Sequence, residues 1–230
     1  MTTDDILKEI KPILTAHWAT RDGNKVPETE DLKSGNDGVK FRGTVLYADM
    51  VDSTELVNNY RAEFAAEIYK SYLLGACRVI RNCGGEITAF DGDRVMAVFI
   101  GDSPNSDAAK SALQINHLVT KINEAIGTAY PTTSYKLKQR VGIDVSDLLV
   151  AKTGIRNSND LVWVGRAANY AAKLAALADD NYPTYITDSV FEKLNETSKK
   201  GGTNKTLMWE KRIWTERQMT VYRSSWWWKF

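Results

Sequence analysis

The stretch TAFDGDRVMAVF, residues 88–99, is a largely apolar run interrupted by two carboxylates around one glycine. Asp-Gly between apolar runs is a strong hairpin signal, because both residues tolerate the backbone of a tight turn. The stretch therefore predicts two antiparallel strands, within GGEITAF and RVMAVFI, that meet at DGD. It also places acidic side chains at the end of structure that otherwise has the character of a buried sheet.

The segment before this hairpin predicts a strand followed by a long helix. FRGTVLYADMV, residues 41–51, is typical of a buried strand, and Ser53 is a suitable N-cap for a helix over residues 54–82. A strand–helix–strand unit returns parallel to its first strand, so a hairpin partner inserted between the two runs antiparallel to it. Asp49 and Asp93 are therefore predicted to share one edge of the sheet, with Asp52 and Asp91 close by in sequence.

The remaining chain alternates helices and strands. Apolar spacing predicts an amphipathic helix within residues 3–19, packed on the body or on a second subunit, and the polar residues 21–40 predict a linker. Further helices are predicted over residues 106–126 and 165–178. Further strands are predicted in YKLKQRVGIDVSDLLVAKTG and DLVWVG, joined by a polar RNSN turn, in TYIT, and in LMWEKRIW and MTVYRSSWWWKF. This order predicts an α+β or α/β class with a mixed sheet.

Composition restricts the classes of function. The 230 residues are 43% hydrophobic, which is enough for one buried core, so we expect residues 1–40 to be a helix and linker and residues 41–230 to be one domain. The 30 basic and 29 acidic residues produce no field that would attract nucleic acid or a membrane surface. Two cysteines, both in a predicted helix, and no apolar run of about 20 residues favour a cytoplasmic protein.

The predicted pair of carboxylates calls for a cation. Two carboxylates a few Å apart do not both ionise readily without positive charge between them. Mg²⁺ and Mn²⁺ accept one or two carboxylates and complete their shells with water and substrate phosphates. The predicted helix start at Ser53 and Thr54 offers free backbone N–H groups to phosphate. The sequence therefore predicts a metal-dependent nucleoside triphosphate site, with ordinary turn chemistry as the alternative for DGD taken alone.

Four segments, in the right order, resemble the class III nucleotidyl cyclases. YADMVDSTEL resembles their F-x-D-[IL]-x-[GS]-[FS]-T segment, and DGDRVMAVF resembles their G-D-x-x-[ML]-A-x-F hairpin. KQRVGIDVS resembles their R-x-G-[IL]-x-x-G strand, and VWVGRAANYAAKLA resembles their G-x-x-[VA]-N-x-A-[AS]-[RK] helix. The match covers about residues 41–190 and implies a ferredoxin-like βαββαβ fold of the α+β class, with a mixed, mainly antiparallel sheet flanked by helices.

The resemblance implies a homodimer with active sites at the subunit interface. It makes Asp49, Asp93 and the backbone carbonyl of Met50 ligands of two divalent metal ions, Mn²⁺ or Mg²⁺. Asn169 matches the asparagine that orients the ribose. Lys173 stands where most members have arginine; lysine keeps the positive charge but lacks the planar guanidinium that donates two parallel hydrogen bonds. Outside this motif, Asn169 would be interpreted as a helix-capping residue or a surface amide, and Lys173 as a solvated lysine. The implied reaction is attack of the ribose 3′-OH on the α-phosphorus with release of pyrophosphate.

Four further positions concern the base. Adenine-selective members carry a lysine and an aspartate where this chain has Ala89 and Val162, and the loss of both polar groups argues against adenine selectivity. Strand alternation directs Tyr47 to the same face as Asp49, where its ring narrows the pocket. Arg94 follows the hairpin and could donate to a uracil carbonyl. The alternatives are an ordinary strand aromatic for Tyr47 and a surface charge for Arg94.

This combination around Asp49 and Arg94 resembles the pyrimidine cyclases of bacterial Pycsar antiphage systems, particularly the uridylate cyclases. Membership implies conversion of UTP to 3′,5′-cyclic UMP, which activates a separately encoded effector. The alternatives are a cytidylate cyclase that makes cyclic CMP, an inactive cyclase-homology domain that senses nucleotide, and a polymerase-like palm. Retention of the metal aspartates, Asn169 and a cation at position 173 argues against inactivity, and the balanced charge argues against a palm.

Overall fold

A mixed β-sheet forms the centre of the protein. The computed structural model describes residues 1–155, 158–177 and 181–230, and nine strands of this part belong to one sheet. The strands are β1 (Ala19–Asp22), β2 (Asp37–Met50), β3 (Glu86–Asp91), β4 (Arg94–Phe99), β5 (Gln139–Ile155), β6 (Ser158–Val164), β7 (Thr184–Thr187), β8 (Lys200–Gly201), β9 (Thr206–Leu207), β10 (Glu210–Trp214) and β11 (Met219–Ser224). Strands β8 and β9 pair only with each other among the described strands.

The helices alternate with these strands, and β4 lies between β2 and β3 as predicted. They are α1 (Thr3–Thr15), α2 (Ser53–Asn59), α3 (Ala62–Asn82), α4 (Pro104–Ala129), α5 (Arg166–Ala175), α6 (Asp188–Phe191) and α7 (Glu196–Lys199). The strand order is β10-β11-β7-β5-β2-β4-β3, with β1 also paired to β2 and β6 to β5. Because β4 lies between β2 and β3 and is antiparallel to both, the predicted insertion is confirmed.

The sheet is mainly antiparallel and carries helices on both faces. Only the β1–β2 and β5–β7 pairs are parallel in the described sheet. Helices α3 and α4 share a core cluster with Leu46 and Ala48 of β2, whereas α5 packs on the opposite face with Val45 and Tyr47. Asp49 follows Tyr47 by two residues and therefore belongs to the α5 side. These layers confirm the expected α+β class.

The helix predicted over residues 54–82 is two helices. Tyr60 and Arg61 have extended backbones between α2 and α3, and the Tyr60 ring stacks on Phe64 with centroids 5.1 Å apart. The N-cap is Asp52 rather than Ser53, since Asp52 adopts a left-handed conformation with φ 59°, which aspartate tolerates better than most residues. The predicted cap at Ser53 was therefore wrong by one residue.

The N-terminal segment contributes more to the sheet than its polar composition predicts. Residues 19–22 form β1, which pairs in parallel with residues 37–40, so β2 begins before the predicted start at residue 41. Leu32, within the predicted linker, is buried. The division of the chain into residues 1–40 and 41–230 stays a prediction.

The other predicted elements are found with small changes in their bounds. The hairpin, the helix after it and the C-terminal strand pair are confirmed. The end of the helix predicted over residues 165–178 and the first half of the RNSN turn, residues 156–157, lie outside the described residues. None of the described helices combines the length and the apolar character needed to cross a bilayer.

Candidate active site

Asp49 and Asp93 lie at one edge of the sheet. In the antiparallel β2–β4 pair, Asp49 is directly opposite Arg94, so Asp93 is one residue away in the turn. Between the two hairpin acids, Gly92 adopts φ 61°, a conformation that glycine adopts without steric cost. Local turn chemistry therefore explains the glycine, and the register of β2 against β4 explains why the two aspartates meet.

The environment of Asp49 is electrostatically unfavourable for a carboxylate. Burial raises the pKa of Asp49 to about 6, and the nearby carboxylates of Asp93 and Asp91 add to the increase, while Arg94 and Arg140 oppose it. Arg140 lies directly opposite Asp49 on β5, so the carboxylate is between arginines on both neighbouring strands. Because the pKa is raised despite these two cations, burial and the like charge of Asp93 prevail.

The arginine nearest to Asp49 compensates it only partly. The Nε atom of Arg94 is 3.9 Å from Oδ2 of Asp49, which is beyond hydrogen-bond distance. This Nε is buried and has no hydrogen-bond acceptor among the described residues. The guanidinium donates instead to Oδ2 of Asp91 at 2.9 Å. The site therefore holds an undercompensated carboxylate beside an arginine with a spare donor.

The two carboxylates fit a hard divalent cation whose coordination shell is completed by water and substrate oxygens. Among the described residues, no three or more His, Cys, Asp and Glu side chains form a group that could hold a metal ion. A cage of that kind is not required, because Mg²⁺ and Mn²⁺ commonly use one or two carboxylates together with water and phosphate oxygens. Burial, and after it the charge of Asp93, raises the pKa of Asp49, and a bound divalent cation would offset both effects by stabilising the ionised carboxylate. Asp49 and Asp93 could therefore hold the metal.

The predicted phosphate-binding residues follow Asp49 directly. Met50 is buried and pairs with Gln139 of β5. Ser53 and Thr54 occupy the first turn of α2, which has seven residues. The carbonyl of Ser53 accepts a hydrogen bond from the Tyr69 hydroxyl at 3.4 Å. The roles of the Met50 carbonyl, Ser53 and Thr54 stay predictions.

The predicted base-reading residues lie beside the acidic edge. Tyr47 pairs with Met96 on β4, which pairs with Ala89 on β3, so three side chains adjoin across three strands. A bulge at Thr88 shifts the register and leaves Ala89 on this face. Burial raises the pKa of Tyr47, and the charge of Arg94 opposes the increase. The Tyr47 hydroxyl therefore lies within electrostatic reach of Arg94.

The other predicted site residues are not brought to this edge within one chain. Val162 pairs with Ala151, which pairs with Gly38 at the far end of β2 from Asp49. Position 49 lies eleven residues beyond position 38 along β2, a distance of about 35 Å. One chain therefore does not unite Val162 with the aspartates.

Asn169 and Lys173 are exposed on the outer face of α5. The inner face of this helix, with Ala167, Ala171 and Leu174, is buried against the body. In the part of the chain that the structure describes, no hydrogen bond or ion pair joins Asn169 or Lys173 to Asp49 or Asp93. The i, i+4 spacing nevertheless presents both side chains on one side of the helix. They are available to another molecule.

An ion pair between the exposed Arg166 and a fully buried Asp144 carboxylate fixes the helix that carries these two residues. The Nε of Arg166 donates to Oδ2 of Asp144 at 2.9 Å, and its second amino group donates to Oδ1 at 3.0 Å. The Thr187 hydroxyl donates to the same Oδ1 at 2.6 Å, and the backbone N–H of Ala167 donates to Ser146 Oγ at 2.9 Å. Bidentate geometry of this kind restricts orientation as well as distance. Neither Asp144 nor Arg166 was predicted, because their contact depends on the packing of α5.

Comparison with curated proteins identifies close relatives, although no protein-family model matches the chain. The chain is 45% identical over 229 residues to a uridylate cyclase from Xanthomonas perforans, with 98% of this chain and 97% of that protein covered. It is 44% identical over 227 residues to a uridylate cyclase from Burkholderia cepacia, with 98% and 97% covered. A third uridylate cyclase, from Rhodovulum sp. (strain MB263), is 38% identical over 230 residues, with 97% and 96% covered.

Solved structures share the fold at lower identity. The guanylyl cyclase Cya2 superposes with a TM-score of 0.69 at 14% identity and covers 82% of this chain and 94% of its own. The adenylyl cyclase CyaB from P. aeruginosa superposes with a TM-score of 0.64 at 19% identity and covers 81% and 95%. The expected nucleotidyl cyclase fold is thereby confirmed. Given this fold and full-length identities of 38–45%, the chain belongs to the uridylate cyclase family of nucleotidyl cyclases.

Proposed function

We propose that the protein is a homodimeric uridylate cyclase that converts UTP to 3′,5′-cyclic UMP and pyrophosphate. The observation that carries the proposal is the edge formed by Asp49 and Asp93, with Tyr47 and the spare donor of Arg94 beside it. This edge offers charge for a metal-bound triphosphate and a donor for a base carbonyl. Full-length similarity to uridylate cyclases supports the same conclusion.

The aspartates prepare the site for the triphosphate. In this proposal Asp49, Asp93 and the carbonyl of Met50 hold two divalent ions, Mn²⁺ or Mg²⁺, which supply the positive charge that acidifies the ribose 3′-OH and stabilises the leaving pyrophosphate. Asp49 has to be ionised for this role. The raised pKa of the metal-free side chain therefore makes metal binding competitive with protons at acidic pH.

Tyr47 and Arg94 are proposed to select the base. The Tyr47 ring adjoins Met96 and Ala89, and we expect it to occupy space that a purine would need. A guanidinium only donates hydrogen bonds, so Arg94 fits O2 or O4 of uracil. At the 4 position cytosine carries an amino group, which is itself a donor and repels the guanidinium. A contact at O4 therefore discriminates UTP from CTP, whereas O2 is common to both.

A second copy of the chain is proposed to complete each site. Asn169 and Lys173 face outward on α5, and Val162 lies at the far end of the sheet from Asp49. We propose that the Asn169 amide of one subunit orients the ribose bound by the other, while Lys173 neutralises triphosphate charge. The Asp144–Arg166 pair keeps α5 in the orientation that presents both. A symmetric dimer then contains two such composite sites.

The biological role is proposed from the family resemblance. Cyclic UMP would act as a cytoplasmic signal in antiphage defence and would activate a separately encoded effector. No nucleic acid or membrane takes part in this proposal.

The test is incubation of the purified protein with ATP, GTP, CTP and UTP, singly and as an equimolar mixture, with Mn²⁺ or Mg²⁺. Mass spectrometry identifies the cyclic products. We expect cyclic UMP to dominate, and loss of the product in Asp93→Asn. Asp147→Asn, at an exposed acid paired with Arg42, is the matched control and retains activity. Dominant cyclic CMP would favour the cytidylate alternative, dominant cyclic AMP would refute the base assignment, and absence of any product would favour nucleotide sensing.

A further inference from the structure

The side-chain amide of Asn116, on α4, joins three separate parts of the chain. Its Oδ1 accepts a hydrogen bond from Nε2 of Gln139, the first residue of β5, at 2.5 Å. Its Nδ2 donates to the hydroxyl of Thr184, the first residue of β7, at 3.2 Å and to the backbone carbonyl of Trp226 at 2.8 Å. Both donors and the acceptor of the amide are therefore engaged, which fixes the orientation of this side chain.

The C-terminal tail, residues 225–230, supplies a fixed carbonyl to this amide. The backbone N–H of Trp226 donates to Oγ of Ser224, the last residue of β11, at 3.1 Å. The Ser224 hydroxyl in turn donates to the carbonyl of Met208 at 2.7 Å. The anchor of Asn116 at this end is therefore tied to the sheet and is not a loose chain end.

The start of β5 lacks a neighbouring strand on one side. Among the described residues, β7 pairs with β5 only at residues 141–143, and β6 pairs with it at residues 149–155. At Gln139 and Arg140 the described sheet therefore has only β2 as a neighbour. Gln139 is 5% exposed and its Oε1 has no hydrogen-bond partner in the described structure, so the bond to Asn116 anchors this side chain.

This start of β5 lies directly beside the proposed metal ligands. Gln139 pairs with Met50, and Arg140 pairs with Asp49. Because side chains alternate along a strand, Gln139 points to the α4 face together with Met50, and Arg140 points to the face of Asp49. A displacement of the β5 start would therefore move Arg140 relative to the Asp49 carboxylate and would disturb the backbone of Met50.

We propose that Asn116 is a positioning residue for the active site: its amide takes the place of the missing strand neighbour and holds the start of β5 against the end of β2, where Asp49 lies. This inference rests on the proposed function. Strand ends with few neighbours open more readily than strand centres, and a displacement of about 1 Å caused far from the reacting atoms can lower a rate about 100-fold. Asn116 thus acts through Gln139 and does not contact the substrate.

Hydrogen exchange of the full chain without nucleotide, followed by mass spectrometry, tests this placement. Asn116→Leu keeps the approximate shape of the side chain and removes all three hydrogen bonds. We expect the amides of residues 137–143 to exchange about tenfold faster than in the wild type, while residues 147–153, at the other end of the same strand, keep their exchange rates. Gln139→Met removes only the bond to β5 and should produce the same local effect, which decides the matter if Asn116→Leu folds poorly.

Gln114→Met is the matched control. The Gln114 amide lies on the same helix and donates to the tail at the carbonyl of Lys229, at 3.2 Å, but among the described residues it makes no hydrogen bond to β5. It should leave the exchange of residues 137–143 unchanged. In steady-state kinetics with UTP, Asn116→Leu should lower kcat/KM about 10- to 100-fold, and the control should lower it less than about threefold. Adding Gln139→Met to Asn116→Leu should cause little further loss, because the two residues share one bond.

The proposal is overturned if Asn116→Leu leaves the exchange of residues 137–143 unchanged, if residues 147–153 accelerate equally, or if Gln114→Met has the same local effect. It is also overturned if kcat/KM stays at the wild-type value although the start of β5 exchanges faster. In a protein that forms no cyclic UMP the proposed function fails, and calorimetric titration with Mn²⁺ replaces the kinetics, with weaker binding expected in Asn116→Leu and not in the control. Since the exchange measurement needs no nucleotide, the two failures are distinguishable.

Discussion

Arg94 lies directly opposite Asp49 across the β2–β4 pair, with its Nε 3.9 Å from the carboxylate Oδ2. On the other side of β2, Arg140 faces the same carboxylate. Two arginines would ordinarily lower the pKa of an aspartate, yet that of Asp49 is raised to about 6. Burial beside Asp93 therefore outweighs them, and the metal-free protein keeps a carboxylate in a place that disfavours its charge.

Asp49→Asn should stabilise the metal-free protein at pH 8. The folded pKa of about 6 exceeds the ordinary value of 3.8, so the favourable contribution of the protonated side chain is complete below about pH 4 and is lost as the pH rises through 6. Two pKa units correspond to at most about 3 kcal/mol. Screening of this partly exposed group reduces the effect to about 1 kcal/mol, or roughly 2–4 °C in melting temperature.

Thermal unfolding in the presence of a chelator, at pH 4 and at pH 8, measures this difference. Asp147→Asn is the control, because its carboxylate is 87% exposed and should show little change at either pH. A lower melting temperature for Asp49→Asn at pH 8 than for the wild type would contradict the electrostatic interpretation.

Arg94→Met should reduce the preference for UTP over CTP. Hydrogen bonds to charged groups contribute about 1.5–3 kcal/mol, so we expect kcat/KM for UTP to fall about 10- to 100-fold, with a smaller fall for CTP. Arg42→Met removes an arginine from a surface ion pair with Asp147 and serves as the control. Steady-state kinetics with both nucleotides decides the matter. An equal loss for UTP and CTP would exclude a contact at the 4 position.

Tyr47→Ala should relax discrimination against purines. Its ring adjoins Met96 and Ala89 across the strands, so truncation opens space at the proposed base site. We expect the ratio of cyclic purine to cyclic pyrimidine product to rise at least about tenfold in a mixture of the four nucleotides. Tyr47→Phe keeps the ring and should keep the pyrimidine preference. Mass spectrometry of the product mixture gives both ratios, and identical ratios in the two variants would show that the ring does not set base size.

Local patterns were sufficient to predict the hairpin and the shared edge of Asp49 and Asp93. Both depend on short-range rules: a glycine turn, strand alternation and a right-handed crossover. The position of Arg140 opposite Asp49 was not predictable, since the register between β2 and β5 joins residues about 90 positions apart.

The polar N-terminal segment was misjudged because its pairing is not encoded in an apolar pattern. All four residues of β1 are exposed, and the strand pairs with β2 in parallel without burying an apolar face. The break at Tyr60 was likewise missed, because neither glycine nor proline marks it. Neither error changes the predicted location of Asp49. Strand β1 pairs at the opposite end of β2, and the break at Tyr60 follows α2, beyond the site.

Activity should be restored when two inactive variants with complementary defects are mixed. Asp49→Asn removes a proposed metal ligand, and Asn169→Ala removes an outward-facing residue of α5 that we assign to the site of the other subunit. Each homodimer is then inactive. After subunit exchange, half of the dimers contain one chain of each kind, and one of their two sites is intact, so recovery approaches about a quarter of wild-type activity. Mixing Asp49→Asn with Asp93→Asn is the decisive control, because both residues belong to the same half of each site and no mixed dimer contains an intact one. Cyclic UMP production is measured together with native mass spectrometry of differently tagged chains, which counts the mixed dimers. Mixed dimers without recovery in the first pair, or equal recovery in both pairs, would show that Asn169 does not act across the interface.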